Sequence, residues 1–279
     1  MSLSEMSSFN VSQKLRANQL RARKSLGQNF IHDENLLRKI VRHAGDVSKG
    51  SVLEIGPGPG GLTQAILEAG AKKVVAVEKD RRFSPILSEL AIAFPNRLSV
   101  ILEDALEINL RDIPDSPLKV IANLPYQIST ILLIKWITGD IWKSNCKSLT
   151  LMFQKEVAER IVAGPGSRKR SKLGLLTELY TEAKIHFRVP ASCFIPIPKV
   201  DSSLVHFEIR KAPKYHFDPT KLNIILRSAF NKKRKMLKSS LKPLFPDVNK
   251  ALNKAGIIET QRPEELELKQ FCELSLINS

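Results

Sequence analysis

Asn123-Leu124-Pro125-Tyr126 places an amide, a main-chain carbonyl, a rigid ring and an aromatic face within four residues. That set suits chemistry on the exocyclic amino group of a base. The amino nitrogen of adenine is a poor nucleophile, because its lone pair is delocalised into the ring. Acceptors aimed at its two hydrogens favour the pyramidal geometry in which it attacks. The Asn123 side-chain oxygen and the Leu124 carbonyl are suitable acceptors. Pro125 fixes the backbone and biases Leu124 toward an extended conformation. Tyr126 offers a face for a base that has left its own stack. Such a site works by positioning and electrostatics and needs no protein nucleophile. In isolation the same residues read as an Asn-Xaa-Pro turn with a core tyrosine, so the surrounding elements decide.

Residues 54–61 read Glu-Ile-Gly-Pro-Gly-Pro-Gly-Gly. They lie between an apolar run and a helical pattern. Glycines there let a ligand lie against bare backbone. The following helix offers unpaired N–H groups to it. Glu78 ends the next apolar run, where a carboxylate can accept both hydroxyls of a ribose. Gly56, Gly58 and Gly61 also satisfy the dinucleotide fingerprint, so NAD competes with S-adenosylmethionine for this loop. Asp104, after a third run, narrows the choice. Its carboxylate can accept from an adenine amino group, with Ala105 leaving room for the ring. Asp104 can equally be the N-cap of a helix over 105–112.

These residues need a scaffold that brings them to one edge. Short apolar runs at 51–56, 73–78, 97–103, 118–124 and 147–153 read as strands. Helical patterns lie between them, at 62–70, 80–94 and 128–137, and another runs from Asp33, a plausible N-cap, to Ala44. The alternation predicts an α/β, Rossmann-like fold with a parallel, doubly wound sheet. Its ligands sit at the carboxyl ends of the strands, where Gly56, Glu78, Asp104 and Asn123 all fall. Residues 184–189 and 202–209 read as a late antiparallel pair. Beyond Pro213 the pattern is helical to the end. The reading is a basic tail over 1–23, a cofactor-binding catalytic domain over 24–213 and a small all-helical, RNA-binding domain over 214–279. Between the last strands, Pro196 and Pro198 enforce an extended strip that could hold Phe194 against a flipped base; burial of Phe194 is the competing reading.

The chain resembles the ribosomal RNA adenine dimethyltransferases, and within them the enzymes of the small subunit. The resemblance spans roughly residues 21–279. It is carried by Lys24-Ser25-Leu26-Gly27-Gln28-Asn29-Phe30, the glycine loop with Glu78, Asp104, the 123–126 tetrapeptide and residues 194–202. It implies S-adenosylmethionine as methyl donor and a Rossmann-like domain followed by a small helical one. It implies dimethylation of N6 on two adjacent adenosines near the 3′ end of small-subunit rRNA, within ribosome biogenesis. It assigns Asn29, Ile31, Gly56, Glu78, Asp104 and Asn123 to the cofactor. It makes Asn123, Leu124, Pro125 and Tyr126 the catalytic loop, and Tyr126 and Phe194 the faces that stack the base. The alternatives are the sister enzyme of the large subunit and a non-catalytic assembly factor or nucleic-acid-binding protein on the same fold. An NAD dehydrogenase leaves the basic stretches unexplained.

Composition points the same way. Lys and Arg total 44 against 28 Asp and Glu, a net charge of +16, which suits a polyanionic partner. From Lys221 to Lys242 there are eight basic residues and no acid. Apolar residues from Leu222 to Leu244 trace a stripe, so one amphipathic helix is expected, presenting Lys232, Lys233, Arg234, Lys235 and Lys238 to phosphates. A second cluster is Arg168-Lys169-Arg170-Lys172. Cys146, Cys193 and Cys272 form no disulfide or zinc pattern, and no metal site is expected. No run is long enough for a membrane span and no signal core opens the chain. The resulting expectation is a cytoplasmic monomer acting on small ribosomal subunits or their precursor, with no membrane partner.

Overall fold

The computed structural model describes residues 11–113, 117–140, 145–231 and 236–277. The strands are β1 (Phe30–Ile31), β2 (Ser51–Ile55), β3 (Lys73–Val77), β4 (Leu98–Ile101), β5 (Leu118–Ala122), β6 (Cys146–Gln154), β7 (Thr181–Val189), β8 (Phe194–Ile195) and β9 (Ser202–Ile209). The helices are α1 (Val11–Ala17), α2 (Glu34–His43), α3 (Gly61–Glu68), α4 (Ser84–Ala93), α5 (Tyr126–Lys135), α6 (Lys155–Ile161), α7 (Lys172–Tyr180), α8 (Pro219–Asn231), α9 (Leu237–Leu241), α10 (Val248–Lys254) and α11 (Leu268–Leu276).

Every residue of β2 is buried, which is why Val52, Leu53 and Ile55 give an apolar run with no alternation, while Ser51 and Glu54 are buried polar residues. It pairs in parallel with β3 on one side and β5 on the other. The full order is β4-β3-β2-β5-β6-β9-β7. β3–β4 and β5–β6 are also parallel, and β9 returns antiparallel to β6. The chain runs outward from β2 to β3 and β4, then restarts at β5 on the other side. That reversal opens a crevice at the carboxyl ends of β2 and β5. The Rossmann-like expectation holds. Asp33 caps α2 as its position suggested, accepting from the amides of Asn35 and Leu36.

Two segments near the sheet edge depart from the sequence reading. Residues 105–112 form no single helix; Asp104 instead accepts from Leu106 N in a short turn, and a 3-10 turn follows at Leu110–Asp112. Around Pro196 the chain bends instead of running straight, and the Ile195–Pro196 peptide is cis.

By internal contacts the chain divides into two compact units, Met1–Ala158 with Lys184–Ile209, and Glu159–Ala183 with Arg210–Ser279. The expected boundary near 213 lies close to the third crossing, after Ile209. The earlier excursion, Glu159–Ala183, was not legible, because what ties it to the second unit is contact with residues distant in sequence. It belongs with the second unit through Arg170, whose buried guanidinium bonds the carbonyls of Leu266 and Ala163 and the Glu178 carboxylate. After Ile209 the described residues form helices and turns only. The long basic helix expected over 221–242 is not continuous. α8 ends at Asn231, and Met236 has extended backbone before α9 begins.

Candidate active site

Four parallel strands deliver the candidate residues to one edge. Gly56 follows β2, Glu78 follows β3, Asp104 lies past β4 and Asn123 follows β5. Together with Asn29 and Ile31 they line a single cleft, whose wall also includes Leu124, Pro125 and Tyr126. All six expected cofactor residues and the whole tetrapeptide therefore meet.

Glu78 is 5% exposed and its carboxylate is fixed by backbone. One oxygen accepts from Gly58 N at 2.9 Å and the other from Asp80 N at 2.7 Å. Burial pushes its pKa up, and those two N–H bonds oppose the shift. Each oxygen keeps a further lone pair, which is what a pair of ribose hydroxyls requires. Gly58 has φ +54, and a Cβ there would stand 2.6 Å from Cε1 of Phe30. The loop must therefore be glycine to pass under the Phe30 ring. Asp104 is held differently. Lys79 Nζ bonds one oxygen at 2.6 Å and lowers the pKa, with help from Leu106 N.

A strap formed by residues 23–31 closes one wall. Gln28 donates to Asp80 at 3.0 Å and accepts from Arg23 N. Asp80 is itself held by Arg82, which keeps its pKa at about 2. Phe30 meets Phe83 edge-on, with centroids 5.5 Å apart. The strap also touches the tetrapeptide. Asn123 Nδ2 donates to the Asn29 carbonyl at 2.9 Å. A carbonyl only accepts, so this bond fixes which end of the amide is which. Asn123 Oδ1 is left with no protein donor among the described residues. The Leu124 carbonyl is likewise free of donors there, because Ile128 N and Ser129 N both bond the Pro125 carbonyl. Two adjacent acceptors, on residues that line the cleft, are thus without a protein donor among the described residues. Tyr126, the first residue of α5, is anchored by its hydroxyl to Ser202 Oγ at 2.6 Å.

Residues 19–278 match the model of the family described as Ribosomal RNA adenine dimethylase. The chain belongs to this family. Relatives of the dimethylase chain include Ribosomal RNA small subunit methyltransferase A of Paracoccus denitrificans. That protein is 50% identical over 256 residues, 92% of this chain and 91% of the relative. Among solved structures, a dimethyladenosine transferase from Plasmodium falciparum superposes with a TM-score of 0.76 at 28% identity, covering 88% of this chain and 95% of that one. The 23S rRNA methyltransferase ErmE superposes with a TM-score of 0.67 at 25% identity, covering 88% and 97%. The dimethylase family and its fold imply S-adenosylmethionine as methyl donor and an rRNA substrate. Among the described residues no group of His, Cys, Asp or Glu is placed to hold a metal ion, and no helix is long and apolar enough to cross a membrane.

Not every expected residue reaches the site. Phe194, read as a second stacking face, is 1% exposed and packs in the core with Ile31, Leu36 and Leu204. Its strand β8 pairs with β1, which turns the ring inward, and it offers no face to the cleft in this structure. Lys232, Lys233, Arg234 and Lys235 lie outside the described residues. Lys238 is half-buried, with Nζ on Glu259 at 2.6 Å. In the second cluster, Lys169 pairs with Glu159, Arg170 with Glu178, and Lys172 donates to Asn223. Sequence reasoning also missed Gln28, Asp80 and Lys79. Gln28 was visible inside the 24–30 motif, but its partner lies 52 residues away. Glu54 was missed as well. It is fully buried, with one oxygen unpartnered, and burial raises its pKa to about 8. A lone acid inside an apolar strand was the available signal.

Proposed function

We propose that this chain transfers methyl groups from S-adenosylmethionine to the N6 amino groups of two adjacent adenosines near the 3′ end of small-subunit rRNA. The observation that carries the reading is the bond from Asn123 Nδ2 to the Asn29 carbonyl. It leaves Oδ1 and the Leu124 carbonyl as the acceptors for the two amino hydrogens. Acceptors preorganised in this way stabilise the attacking geometry without reorganising during the reaction. One amino proton must leave after each transfer, and the open cleft gives it a route to water. Tyr126 stacks on the extruded base and limits its tilt.

The cofactor supplies an electrophilic methyl group on a sulfonium. The residues present fit it. Glu78 would take the ribose hydroxyls, Asp104 the adenine amino group, and the Gly56 loop, Asn29, Ile31 and Asn123 the remainder. The orientation of Glu78 by two backbone amides supports this assignment. So does the glycine requirement beneath Phe30. In this reading the protein works as a monomer in the cytoplasm on a small-subunit precursor, with Lys232, Lys233, Arg234, Lys235 and Lys238 against rRNA phosphates.

Radiolabelled methyl transfer to small ribosomal subunits that lack the modification tests the proposal. The expected product is N6,N6-dimethyladenosine at two neighbouring positions. No label on small subunits, with label on 23S rRNA offered separately, would favour the sister activity that the name of ErmE states. The 50% identity to the small-subunit relative, against 25% to ErmE, supports the first outcome. Binding of subunits with no transfer at all would favour an assembly factor.

A further inference from the structure

The proposed chemistry uses the Tyr126 ring and leaves its hydroxyl without a task. That hydroxyl lies 2.6 Å from Ser202 Oγ. Ser202 comes from the last of the sequence motifs, residues 194–202, whose expected contribution was Phe194. Phe194 is buried away from the cleft, so the motif's link to the site runs through Ser202 instead.

Ser202 is fully buried and its backbone is tightly placed. It opens β9, in register with Gln154 of β6. The residue before it, Asp201, is tied on three sides. Its carbonyl accepts from Lys155 N, one carboxylate oxygen from Ala191 N, and the other from the Arg188 guanidinium. The serine hydroxyl is therefore a fixed point on the sheet. Tyr126 stands at the opposite extreme, on the first turn of a helix directly after a proline, with a side chain that rotates about two bonds. Fixing the far end of such a ring fixes the direction of its long axis, and so where its face lies. A stacking face needs that, because the base presents its amino nitrogen in line with the methyl donor only from one position.

We infer that Ser202 is a positioning residue, which holds the Tyr126 ring in place for the target base through the bond between the two hydroxyls. This rests on the reading of Tyr126 as the stacking face. Burial holds the Tyr126 pKa above its ordinary value, so the phenol keeps its proton at neutral pH. The bond is then between two neutral hydroxyls, and its loss acts on geometry without changing charge.

The test is a double-mutant cycle on methyl transfer to unmodified small subunits. Ser202→Ala and Tyr126→Phe remove the same bond from opposite sides while keeping the ring. Each should lower kcat by roughly 3- to 10-fold, the loss of one neutral hydrogen bond. The double variant should be no slower than the slower single, because the bond can be lost only once. KM for subunits and the affinity for S-adenosylmethionine should stay at wild-type values. A role confined to stability would lower the unfolding temperature and leave kcat of the folded fraction alone. Wild-type kcat in Ser202→Ala overturns the inference, and so do losses that multiply in the double variant. Should Ser202→Ala fail to fold, Tyr126→Phe decides alone: wild-type kcat overturns, a loss within that range supports. Tyr126→Ala separates the two levels of the argument. If it keeps full turnover, the stacking reading itself fails. If it loses turnover while both hydroxyl variants do not, only the role of Ser202 fails.

Discussion

Two polar regions of this molecule were expected to carry function, and they are built on opposite terms. At the sheet edge, polar groups are held by backbone and left open on one side. Glu78 is gripped by two amides, and Asn123 is fixed by one carbonyl with its oxygen free. In the second unit, several of the described basic residues are closed by partners, while others such as Arg168 stay exposed. Arg170 uses its guanidinium on two carbonyls and Glu178, Lys214 shares Glu178, and Lys238 meets Glu259. A run of charge in sequence says little about availability. A polar residue directly after a buried parallel strand says much, because the strand's register decides where it emerges.

The sharpest break of the contrast lies within one basic run. Arg170→Met should destabilise the fold by about 3–5 kcal/mol, the usual consequence of removing one partner of a buried ion pair. Arg168→Ala, two residues earlier and exposed, should fall within about 0.5 kcal/mol of wild type. Chemical denaturation of both variants measures this, and equal effects would erase the distinction drawn here. At the sheet edge, Asn123→Ala should lower turnover by about 100- to 1000-fold, comparable to loss of one preorganised polar group. Subunit binding should barely change. Near-normal turnover on purified subunits would remove Asn123 from the mechanism.

Glu78→Ala should weaken S-adenosylmethionine binding by roughly 10- to 100-fold, a charge-assisted hydrogen bond lost in a desolvated site. Calorimetry reads it directly, and unchanged affinity would reassign the cofactor site. Glu54 gives a pH-dependent effect on stability. Its folded pKa is raised to about 8 from 4.5. The folded state therefore holds a proton that the unfolded state releases first as pH rises. The stabilisation is complete below pH 4.5 and is lost progressively toward pH 8. Relative to Glu54→Gln, wild-type stability should fall by about 1.4 kcal/mol per pH unit across that window. Parallel curves for the two proteins would place the carboxyl in a wetter setting. The smallest effect belongs to Lys238→Ala. Loss of its half-exposed pair with Glu259 should change stability by less than about 1 kcal/mol. If Lys238 also meets phosphate, the log–log salt slope of RNA binding should drop by somewhat under one unit. An unchanged slope would make it a structural lysine like Arg170.

The sequence alone determined the strands of the main sheet, its parallel βαβ construction and the edge on which the glycine loop, Glu78, Asp104 and the tetrapeptide emerge. Apolar runs buried on both faces have one way to pack, and ligand residues follow their ends. The tetrapeptide's chemistry was equally legible, because an amide, a carbonyl and an aromatic ring are properties of residue types. What only the tertiary structure decided was orientation and pairing across distance. The Asn29 carbonyl that turns the Asn123 amide lies 94 residues away, and the Ser202 hydroxyl that holds Tyr126 lies 76 away. Phe194 turned into the core because β8 pairs with β1, a two-residue ladder that no periodicity announces. The closure of Arg170 by Glu178 and two distant carbonyls was equally invisible. Local pattern encodes where the chain must bury itself, whereas the partner of a polar group is chosen by which segments the finished core brings within hydrogen-bond reach.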